Sequence, residues 1–239
     1  MTGAAHLMVL AGGFGTRLRS VVSNVPKPLA PVAGRPFLQY LIESWLEQGV
    51  TKLTFLLHYQ AGMITGFLAS QQGCELLRGC EVQILTEPRP LGTGGAVAYA
   101  VQQTGLTGPF LVANADTWLG SGLGEVLANA PPAIGVVRVN NSERYGSVRF
   151  GEHKVLAFEE KQNTKGAGWI NAGLYHLRSD LFHEWNGQPF SLERDLFPDL
   201  AAAGRLGAAH LETEFIDIGI PEDYMRFCGW IESGKTRVL

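Results

Sequence analysis

The sequence predicts an α/β protein built on a mostly parallel sheet, and three observations carry this prediction. Along the first half of the 239-residue chain, short apolar runs of strand length alternate with stretches whose apolar residues recur at helical spacing. Turns rich in glycine and proline follow two of these runs, which is where α/β sheets bind ligands. From Ala133 onward the runs follow one another without long helices, so an antiparallel or mixed extension of the sheet is expected.

The predicted elements follow from these patterns. Strands are expected at residues 7–10, 52–58, 81–86, 110–113, 134–139, 147–150, 155–158, 169–177 and 215–219. Helices are expected at residues 37–49, 61–68, after residue 96 to about residue 103, at 196–203 and from Pro221 onward. The last two helices have start signals. Ser191 and Asp195 resemble a capping arrangement, and Pro221 stands at a first helical position with acidic residues behind it.

Composition and charge exclude several classes of function. Apolar residues make up 46% of the chain, which is enough for a core, and the net charge is −3. Nucleic acid and anionic membranes attract basic surfaces, so neither is expected as a partner. No apolar run reaches membrane-spanning length, and the N-terminus lacks a basic-then-apolar signal pattern. Cys74, Cys80 and Cys228 are odd in number and lack CxxC spacing, so they are interpreted as reduced thiols of a cytoplasmic protein.

The stretch from Leu10 to Pro36 carries the strongest functional signal. Its run GGFGTRL has glycines that leave backbone amides open to a polyanion. Arg17 ends this run, and Lys27 stands between two prolines that restrict its backbone. The P-loop would need Gly-Lys before Ser or Thr, and the dinucleotide fingerprint would need a third glycine where Leu18 stands. A glycine-rich loop with two cations suits a triphosphate, so we interpret this stretch as a nucleotide site.

The run GGxGTRL followed by Pro-Lys-Pro resembles the signature of the sugar-phosphate nucleotidyltransferases, which join a nucleoside triphosphate to a sugar 1-phosphate. The resemblance extends along the whole chain. It implies a Rossmann-like three-layer sandwich of the nucleotide-diphospho-sugar transferase type, with a mostly parallel mixed sheet and no C-terminal β-helix. Residues 1–239 would then form a single domain, with a nucleotide-binding part at 1–132 and a sugar-binding part with a closing helix at 133–239.

The resemblance also implies catalytic groups and nucleotide contacts. Arg17 would hold the departing phosphates, and Lys27 would lie beside the α-phosphate, where charge moves during the reaction. Glu87 opens the segment EPRPLGTGGA, which touches the base in the family, and a carboxylate can accept two hydrogen bonds from guanine. An exposed glutamate on a surface turn is the alternative. The predicted nucleotide contacts are Leu10, Ala11, Gly12, Gly13, Gly15, Thr16, Glu87, Gly92 and Thr93.

Two aspartates resemble the magnesium ligands of the family. Asp116 follows the buried run FLVA, where an unpaired carboxylate would be costly, although Ala115 replaces the usual glycine. Asp217, in the run DIGIPEDY, resembles the second ligand. Hard oxygen donors suit Mg²⁺, which is therefore the expected cofactor. The alternative for Asp116 is a cap of the following turn.

The predicted contacts to the sugar phosphate all come from the resemblance. The run Phe158–Lys161 resembles the family's F-x-E-K segment, although Gln162 stands where proline is frequent; without the family it would be interpreted as a solvated charge run. Glu193 and Asp195 match a structural segment of the family, and no chemistry is assigned to them. The predicted contacts are Asn114, Gly146, Glu160, Lys161 and Asn171.

The run LRSVVSNVPKPLAPVAGRPFL is very similar to guanylyltransferases that act on D-glycero-D-manno-heptose 1-phosphate, which implies GTP and that sugar as substrates. Mannose 1-phosphate with GTP is the first alternative, and glucose 1-phosphate with UTP or dTTP is the second. A non-catalytic sensor should have lost a cation or a metal carboxylate, and this chain keeps them. A molybdopterin- or CMP-type transferase would not predict the downstream segments. Relatives often form dimers or tetramers, which leaves a homo-oligomer open.

Overall fold

The computed structural model describes residues 5–159 and 166–235. The described strands are β1 (Ala5–Leu10), β2 (Pro31–Val32), β3 (Arg35–Pro36), β4 (Val50–Leu57), β5 (Glu81–Thr86), β6 (Pro109–Asn114), β7 (Thr117–Leu119), β8 (Ala133–Val139), β9 (Ser147–Gly151), β10 (Lys154–Glu159), β11 (Gly168–Arg178), β12 (Gly207–Leu211) and β13 (Phe215–Asp217). The described α-helices are α1 (Phe37–Glu47), α2 (Ala61–Gln71), α3 (Gly92–Thr104), α4 (Leu123–Leu127), α5 (Phe197–Ala202) and α6 (Pro221–Glu232). None of the helices in these two ranges is long and apolar enough to cross a membrane.

The chain forms two compact units, and each unit is assembled from separate chain segments. The first unit takes its described residues from Met1–Arg89, Asn114–Gly120 and Glu214–Leu239. The second unit consists of Pro90–Ala113 and the described residues of Ser121–Thr213. The expected division into a nucleotide part and a sugar part concerns ligands, and it stays a prediction.

Parallel strands form the base of the first unit. They lie in the order β5–β4–β1, with Leu53 of β4 opposite Leu7 of β1 and Val82 of β5. Leu7 and Leu53 are fully buried, as expected for nearly continuous apolar strands. Helix α1 follows the predicted stripe and buries one face, which consists of Phe37, Leu38, Tyr40, Leu41, Ile42, Ser44 and Trp45.

A short antiparallel ladder in the first unit joins two distant chain segments. Strand β13 pairs with β7, so that Asp217 lies opposite Thr117 and Ile216 lies opposite Trp118. The amide of Ile218 donates to the carbonyl of Asp116 at 3.0 Å and extends the ladder by one bond. Phe227 of α6 packs against Trp118, with their ring centroids 5.8 Å apart. The ladder therefore holds the two predicted metal ligands at neighbouring positions.

The second unit carries the mixed sheet that the sequence predicts after Ala133. Its strands lie in the order β6–β11–β8–β12–β10–β9. Strand β11 is antiparallel to both β6 and β8, β12 is parallel to β8, and β9 and β10 form an antiparallel pair. Strand β12 was not predicted, because its sequence GAAHL is rich in glycine and alanine, which are depleted in strands.

The predicted strands and helices are confirmed, with differences at their ends. Helix α3 begins at Gly92, earlier than expected, and α2 continues to Gln71. One turn of π-helix at Leu192–Leu196 precedes α5. The predicted capping arrangement is confirmed: the Ser191 hydroxyl accepts from the Arg194 amide at 3.3 Å, and the Asp195 carboxylate accepts from the Ser191 amide at 2.6 Å. The short elements β2, β3, β7 and α4 were not predicted.

Candidate active site

A lysine that contacts two carboxylates forms the centre of the candidate site, within the first unit. Nζ of Lys27 lies 2.7 Å from Oδ2 of Asp116 and 3.2 Å from Oδ1 of Asp217. The Lys27 side chain is only 9% exposed, whereas the side chains of Asp116 and Asp217 are 38% and 22% exposed. The structure therefore brings together a predicted catalytic cation and both predicted metal ligands, and it leaves the carboxylates partly exposed to solvent.

The backbone around Lys27 explains how its side chain is held. Pro26 precedes a single 3₁₀ turn, Lys27–Leu29, and Pro28 is buried inside that turn. The amide of Leu29 donates to the carbonyl of Pro26 at 2.8 Å. Because each proline restricts its own φ and the residue before it, few backbone conformations are available to Lys27. The Pro-Lys-Pro motif thus restricts the backbone that carries the lysine, although this backbone forms only a single 3₁₀ turn.

Short local contacts orient the two carboxylates. The amide of Gly219 donates to Oδ1 of Asp217 at 2.7 Å, and the hydroxyl of Thr117 donates to Oδ1 of Asp116 at 3.2 Å. Each carboxylate thus has a donor from its own chain segment in addition to Lys27. A carboxylate held by several donors changes its rotamer less readily, so the site is preorganised.

Burial and mutual charge shift the pKa of each member of this cluster. Burial alone would lower the pKa of Lys27, but the two carboxylates outweigh it and raise that pKa. Burial opposes ionisation of Asp116, yet the Lys27 ammonium holds the pKa of Asp116 below its usual value. Burial and the charge of Asp116 raise the pKa of Asp217. The lysine is therefore charged, and a further cation between the carboxylates would relieve their repulsion.

The glycine-rich loop after β1 offers backbone donors. Within residues 5–159 and 166–235, no acceptor pairs with the amides of Gly13, Phe14 or Gly15. Gly15 has a φ of 59°, and a Cβ at this position would lie 3.1 Å from Cβ of Lys27. The loop therefore lies against the lysine, and its open amides agree with the predicted phosphate-binding role.

Arg17 supplies a second cation next to this loop. It is exposed at the short turn Thr16–Leu18, and in the described part of the chain no carboxylate forms an ion pair with it. The neighbouring Phe14 is 49% exposed and packs on Tyr59, with the ring centroids 5.2 Å apart. The Phe14 ring thus anchors the loop on Tyr59. The exposed guanidinium of Arg17 is accessible to an anionic ligand.

Glu87 lies beside the same loop. It is 7% exposed, and its amide donates to the carbonyl of Leu57 at 2.8 Å. A Cβ on Gly12 would come within 3.0 Å of Oε1 of Glu87. The structure therefore brings the predicted base-contacting carboxylate to the loop and buries it, unlike the exposed turn of the alternative interpretation.

Leu10, Ala11 and Asn114 belong to the same unit, where the carbonyl of Leu10 accepts from the amide of Ala115 at 3.0 Å.

In the second unit, hydrogen bonds link two of the other predicted contacts through Glu193. The Thr93 hydroxyl donates to Oε2 of Glu193 at 2.7 Å, and the Tyr175 hydroxyl donates to Oε1 at 3.0 Å. Nδ2 of Asn171 donates in turn to the Tyr175 hydroxyl at 2.9 Å. Sequence analysis placed Glu193 in a structural segment and assigned it no chemistry, and it did not predict these hydrogen bonds to Thr93 and Tyr175.

The glycines of the segment LGTGGA have a packing role as well. The ring of Phe190 fills the space beside Gly94, where a Cβ would lie only 2.2 Å from a ring carbon. The amides of Gly94 and Gly95 both donate to the carbonyl of Phe190, at 3.0 and 3.2 Å. The start of α3 is thereby docked against the segment that leads to Glu193.

Of the remaining predicted sugar contacts, Gly146 is among the described residues and two others are not. Gly146 is exposed in the turn before β9. Glu160 and Lys161 lie outside the described residues, as does Gln162. Among the described residues, no group of three or more histidine, cysteine or acidic side chains could hold a metal ion alone.

This chain belongs to the nucleotidyl transferase family, whose sequence model matches residues 6–232. A relative from Campylobacter jejuni, a D-glycero-alpha-D-manno-heptose 1-phosphate guanylyltransferase, is 32% identical over 92% of this chain and 97% of its own length. A probable mannose-1-phosphate guanylyltransferase of Oryza sativa is 33% identical over 91% of this chain, which spans 62% of that longer protein.

The crystal structure of HddC from Yersinia pseudotuberculosis complexed with GMP-PN is also similar. It matches with a TM-score of 0.82 and 33% identity, over 95% of this chain and 99% of that chain. These comparisons confirm the predicted family and the nucleotidyltransferase-type α/β fold with a mixed sheet. They also confirm the predicted class of enzyme, a sugar-phosphate nucleotidyltransferase.

Proposed function

We propose that this enzyme transfers the guanylyl group of GTP to D-glycero-alpha-D-manno-heptose 1-phosphate. An oxygen of the sugar phosphate attacks the α-phosphorus, a new P–O bond forms, and the bond from that phosphorus to pyrophosphate breaks. The observation that carries the proposed chemistry is the contact of Lys27 with Asp116 and Asp217 beside a loop of open amides. The choice of substrates is supported by the names of the relatives.

The main obstacle in this reaction is repulsion between two anions, because the nucleophile is already ionised and needs no general base. Positioning and charge neutralisation are the remedies that a protein can supply. The open amides and Arg17 would hold the phosphates that depart as pyrophosphate. Lys27 would stabilise the charge that develops at the α-phosphate, because its ammonium is held in place before the reaction.

Mg²⁺ is the proposed cofactor, with Asp116 and Asp217 as its protein ligands. Mg²⁺ usually takes one or two carboxylates from a protein and the rest of its oxygens from phosphates and water. Two partly exposed carboxylates that share one lysine fit this donor set. When bound, the ion would supply positive charge at the α-phosphate.

Glu87 is the proposed contact to guanine, because a buried carboxylate beside the loop can accept from the ring N–H and from the amine. The other expected nucleotide contacts, Gly92 and Thr93, and the expected sugar contacts, Asn114, Gly146, Glu160, Lys161 and Asn171, stay predictions. The three cysteines are free thiols, which supports a location in the reducing cytoplasm.

The substrates are tested by measuring pyrophosphate release with Mg²⁺ present. The grid crosses GTP, ATP, UTP, CTP and dTTP with the 1-phosphates of heptose, mannose and glucose. Release with GTP and heptose 1-phosphate is expected. Release with GTP and mannose 1-phosphate would keep the mechanism and replace the sugar. If folded protein releases nothing in any combination, the proposed reaction is wrong and a non-catalytic sensor is favoured.

The metal ligands are tested with Asp217→Asn. The amide oxygen can still accept from Gly219, so the fold should persist by circular dichroism, whereas the lost charge should raise the Mg²⁺ concentration for half-maximal rate by about tenfold. Glu222→Gln, at an exposed position in the same unit, is the control and should leave this concentration unchanged. An unchanged Mg²⁺ requirement in Asp217→Asn would remove Asp217 from the metal site.

A further inference from the structure

The carboxylate of Glu193 accepts hydrogen bonds from hydroxyl groups in three parts of the second unit. Oε2 accepts from Thr93 at 2.7 Å and from Ser191 at 2.8 Å, and Oε1 accepts from Tyr175 at 3.0 Å. Thr93 lies in the first turn of α3, Ser191 caps the turn before α5, and Tyr175 lies in β11. A partly buried carboxylate with three hydroxyl donors is held in one position, unlike a glutamate side chain in solvent. We call Glu193 and these three hydroxyl donors the junction.

The direction of each hydrogen bond follows from the charge of Glu193. An ionised carboxylate can only accept, so the single hydroxyl proton of Tyr175 must point to Glu193. The Tyr175 oxygen is then left to accept, and it accepts from Nδ2 of Asn171 at 2.9 Å. The other end of that amide, Oδ1 of Asn171, accepts from the Gly173 amide at 2.9 Å. The Gly173 amide fixes Oδ1, and the Tyr175 oxygen, which Glu193 keeps as an acceptor, holds Nδ2, so Glu193 completes the set of contacts that hold the Asn171 amide.

The same reasoning applies at the other end of the junction. The Thr93 hydroxyl donates a hydrogen bond to Glu193, and its oxygen accepts one from the amide of Leu192 at 2.9 Å. Thr93 is thus fixed in its rotamer and tied to the segment that holds Glu193. The backbone of Gly94 is bonded to this segment too, through the carbonyl of Phe190. The first turn of α3 therefore depends on the same junction as Asn171.

We propose that Glu193 is a positioning residue that holds the nucleotide segment at Thr93 and the sugar segment at Asn171 in their binding geometries. This inference rests on the proposed function, because that function gives the two segments their ligands. Fully buried Tyr175 carries the effect to the sugar side, and Thr93 carries it to the nucleotide side. An uncharged side chain of the same size would fill this space equally well. Only a carboxylate can accept at both of its terminal atoms, as the hydrogen bonds from Thr93 and Tyr175 require.

Three variants separate the two branches. Tyr175→Phe keeps the ring and removes the link to Asn171, so it should raise the Kd and KM of the sugar 1-phosphate about tenfold and leave those of GTP unchanged. Thr93→Val should do the reverse. Glu193→Gln keeps the size but loses the pure acceptor, so both ligands should weaken, each by about tenfold. Glu184→Gln, an exposed glutamate of the same unit, is the matched control and should change neither.

The Kd of each ligand is measured by titration calorimetry, with GTP and Mg²⁺ or with heptose 1-phosphate, and the melting temperature is recorded for every variant. Folded Glu193→Gln protein that binds both ligands as the wild type does would overturn the positioning role, even if its melting temperature falls. Wild-type protein that binds both ligands but releases no pyrophosphate would contradict the proposed reaction and leave the affinities to decide on Glu193. Wild-type protein that binds neither ligand would overturn both proposals.

Discussion

At the scale of single residues, Lys27 has two roles that depend on each other. It neutralises the repulsion between Asp116 and Asp217, and the two carboxylates in turn keep it charged in spite of its burial. Removing one member therefore shifts the pKa of the others. A nucleotide that approaches this cluster meets a fixed ammonium group, and no charge has to be moved into place.

Lys27→Ala should lower kcat/KM by roughly 10²-fold or more, because a positioned cation is lost and two carboxylates then face the phosphates without it. Initial rates of pyrophosphate release measure the effect. Lys52→Ala removes another lysine of the same unit, one that pairs with Glu81 at 2.6 Å, and should keep nearly full activity. Near-normal turnover of Lys27→Ala would remove Lys27 from the proposed mechanism.

His6 makes the stability of the fold depend on pH. Burial, with a contribution from Lys52, lowers the pKa of His6 from 6.5 to about 4, and Nε2 lies 2.8 Å from the Thr54 hydroxyl. Between these pKa values the unfolded chain binds a proton that the folded chain does not. The free energy of unfolding should therefore fall as the pH falls from 6.5 toward 4.

His6→Gln should reduce this loss of stability, because glutamine can still contact Thr54 but does not titrate. Urea unfolding at about pH 7 and about pH 5 measures the difference. His153→Gln changes an exposed histidine and should keep the wild-type pH dependence. Equal pH dependence in His6→Gln and wild type would show that other groups cause the loss.

At the scale of elements, two local structures position the candidate residues. The β7–β13 ladder sets Asp217 opposite Thr117, next to Asp116, so its register decides the distance between the metal ligands. The start of α3 is docked on Phe190, which leaves no room for a Cβ at Gly94. A glycine-rich helix start is weak by itself, and here tertiary contacts supply the missing stability.

Gly94→Ala should destabilise the protein by about 1–3 kcal/mol, because the added methyl group overlaps the Phe190 ring. Urea unfolding gives the value. Gly66→Ala is the contrast, since Gly66 lies inside α2 and an added Cβ would meet no atom within 4 Å apart from its chain neighbours and the backbone of its own helix, and it should be neutral or stabilising. In protein that already carries Phe190→Ala, adding Gly94→Ala should lower the free energy of unfolding much less than it does in the wild type. A Gly94→Ala protein as stable as the wild type would contradict this packing argument.

At the scale of the whole molecule, the net charge is −3, so the attraction for a triphosphate has to be local. It comes from the loop amides, from Arg17 and from Lys27 with any bound cation. Because Lys27 is already paired with two carboxylates, Mg²⁺ should contribute strongly to nucleotide affinity.

GTP with Mg²⁺ should therefore raise the melting temperature more than GTP with EDTA, and more than UTP or ATP with Mg²⁺. Ligand at about 100 times its Kd stabilises the native state by about 2.7 kcal/mol. Thermal unfolding followed by tryptophan fluorescence measures these shifts. Equal shifts for all nucleotides would argue against the proposed base contact of Glu87.

Most of the secondary structure could be predicted because each element depends on a local pattern. The stripe of α1 and the apolar run of β1 are recognisable from spacing alone. The short strands β7 and β12 could not be predicted in this way. Each is too short or too rich in alanine to stand out, and each exists because a partner strand from another part of the chain lies beside it.

The sequence by itself determined the family, the class of reaction and the residue types of the candidate site. Those properties depend on residue identity and short-range spacing, as in GGFGTRL and Pro-Lys-Pro. Only the tertiary structure decided that Lys27 bonds to both Asp116 and Asp217, and that Glu193 joins Thr93 to Tyr175. These contacts link segments that are far apart in the chain, and their distances depend on strand register and packing, which no local pattern specifies.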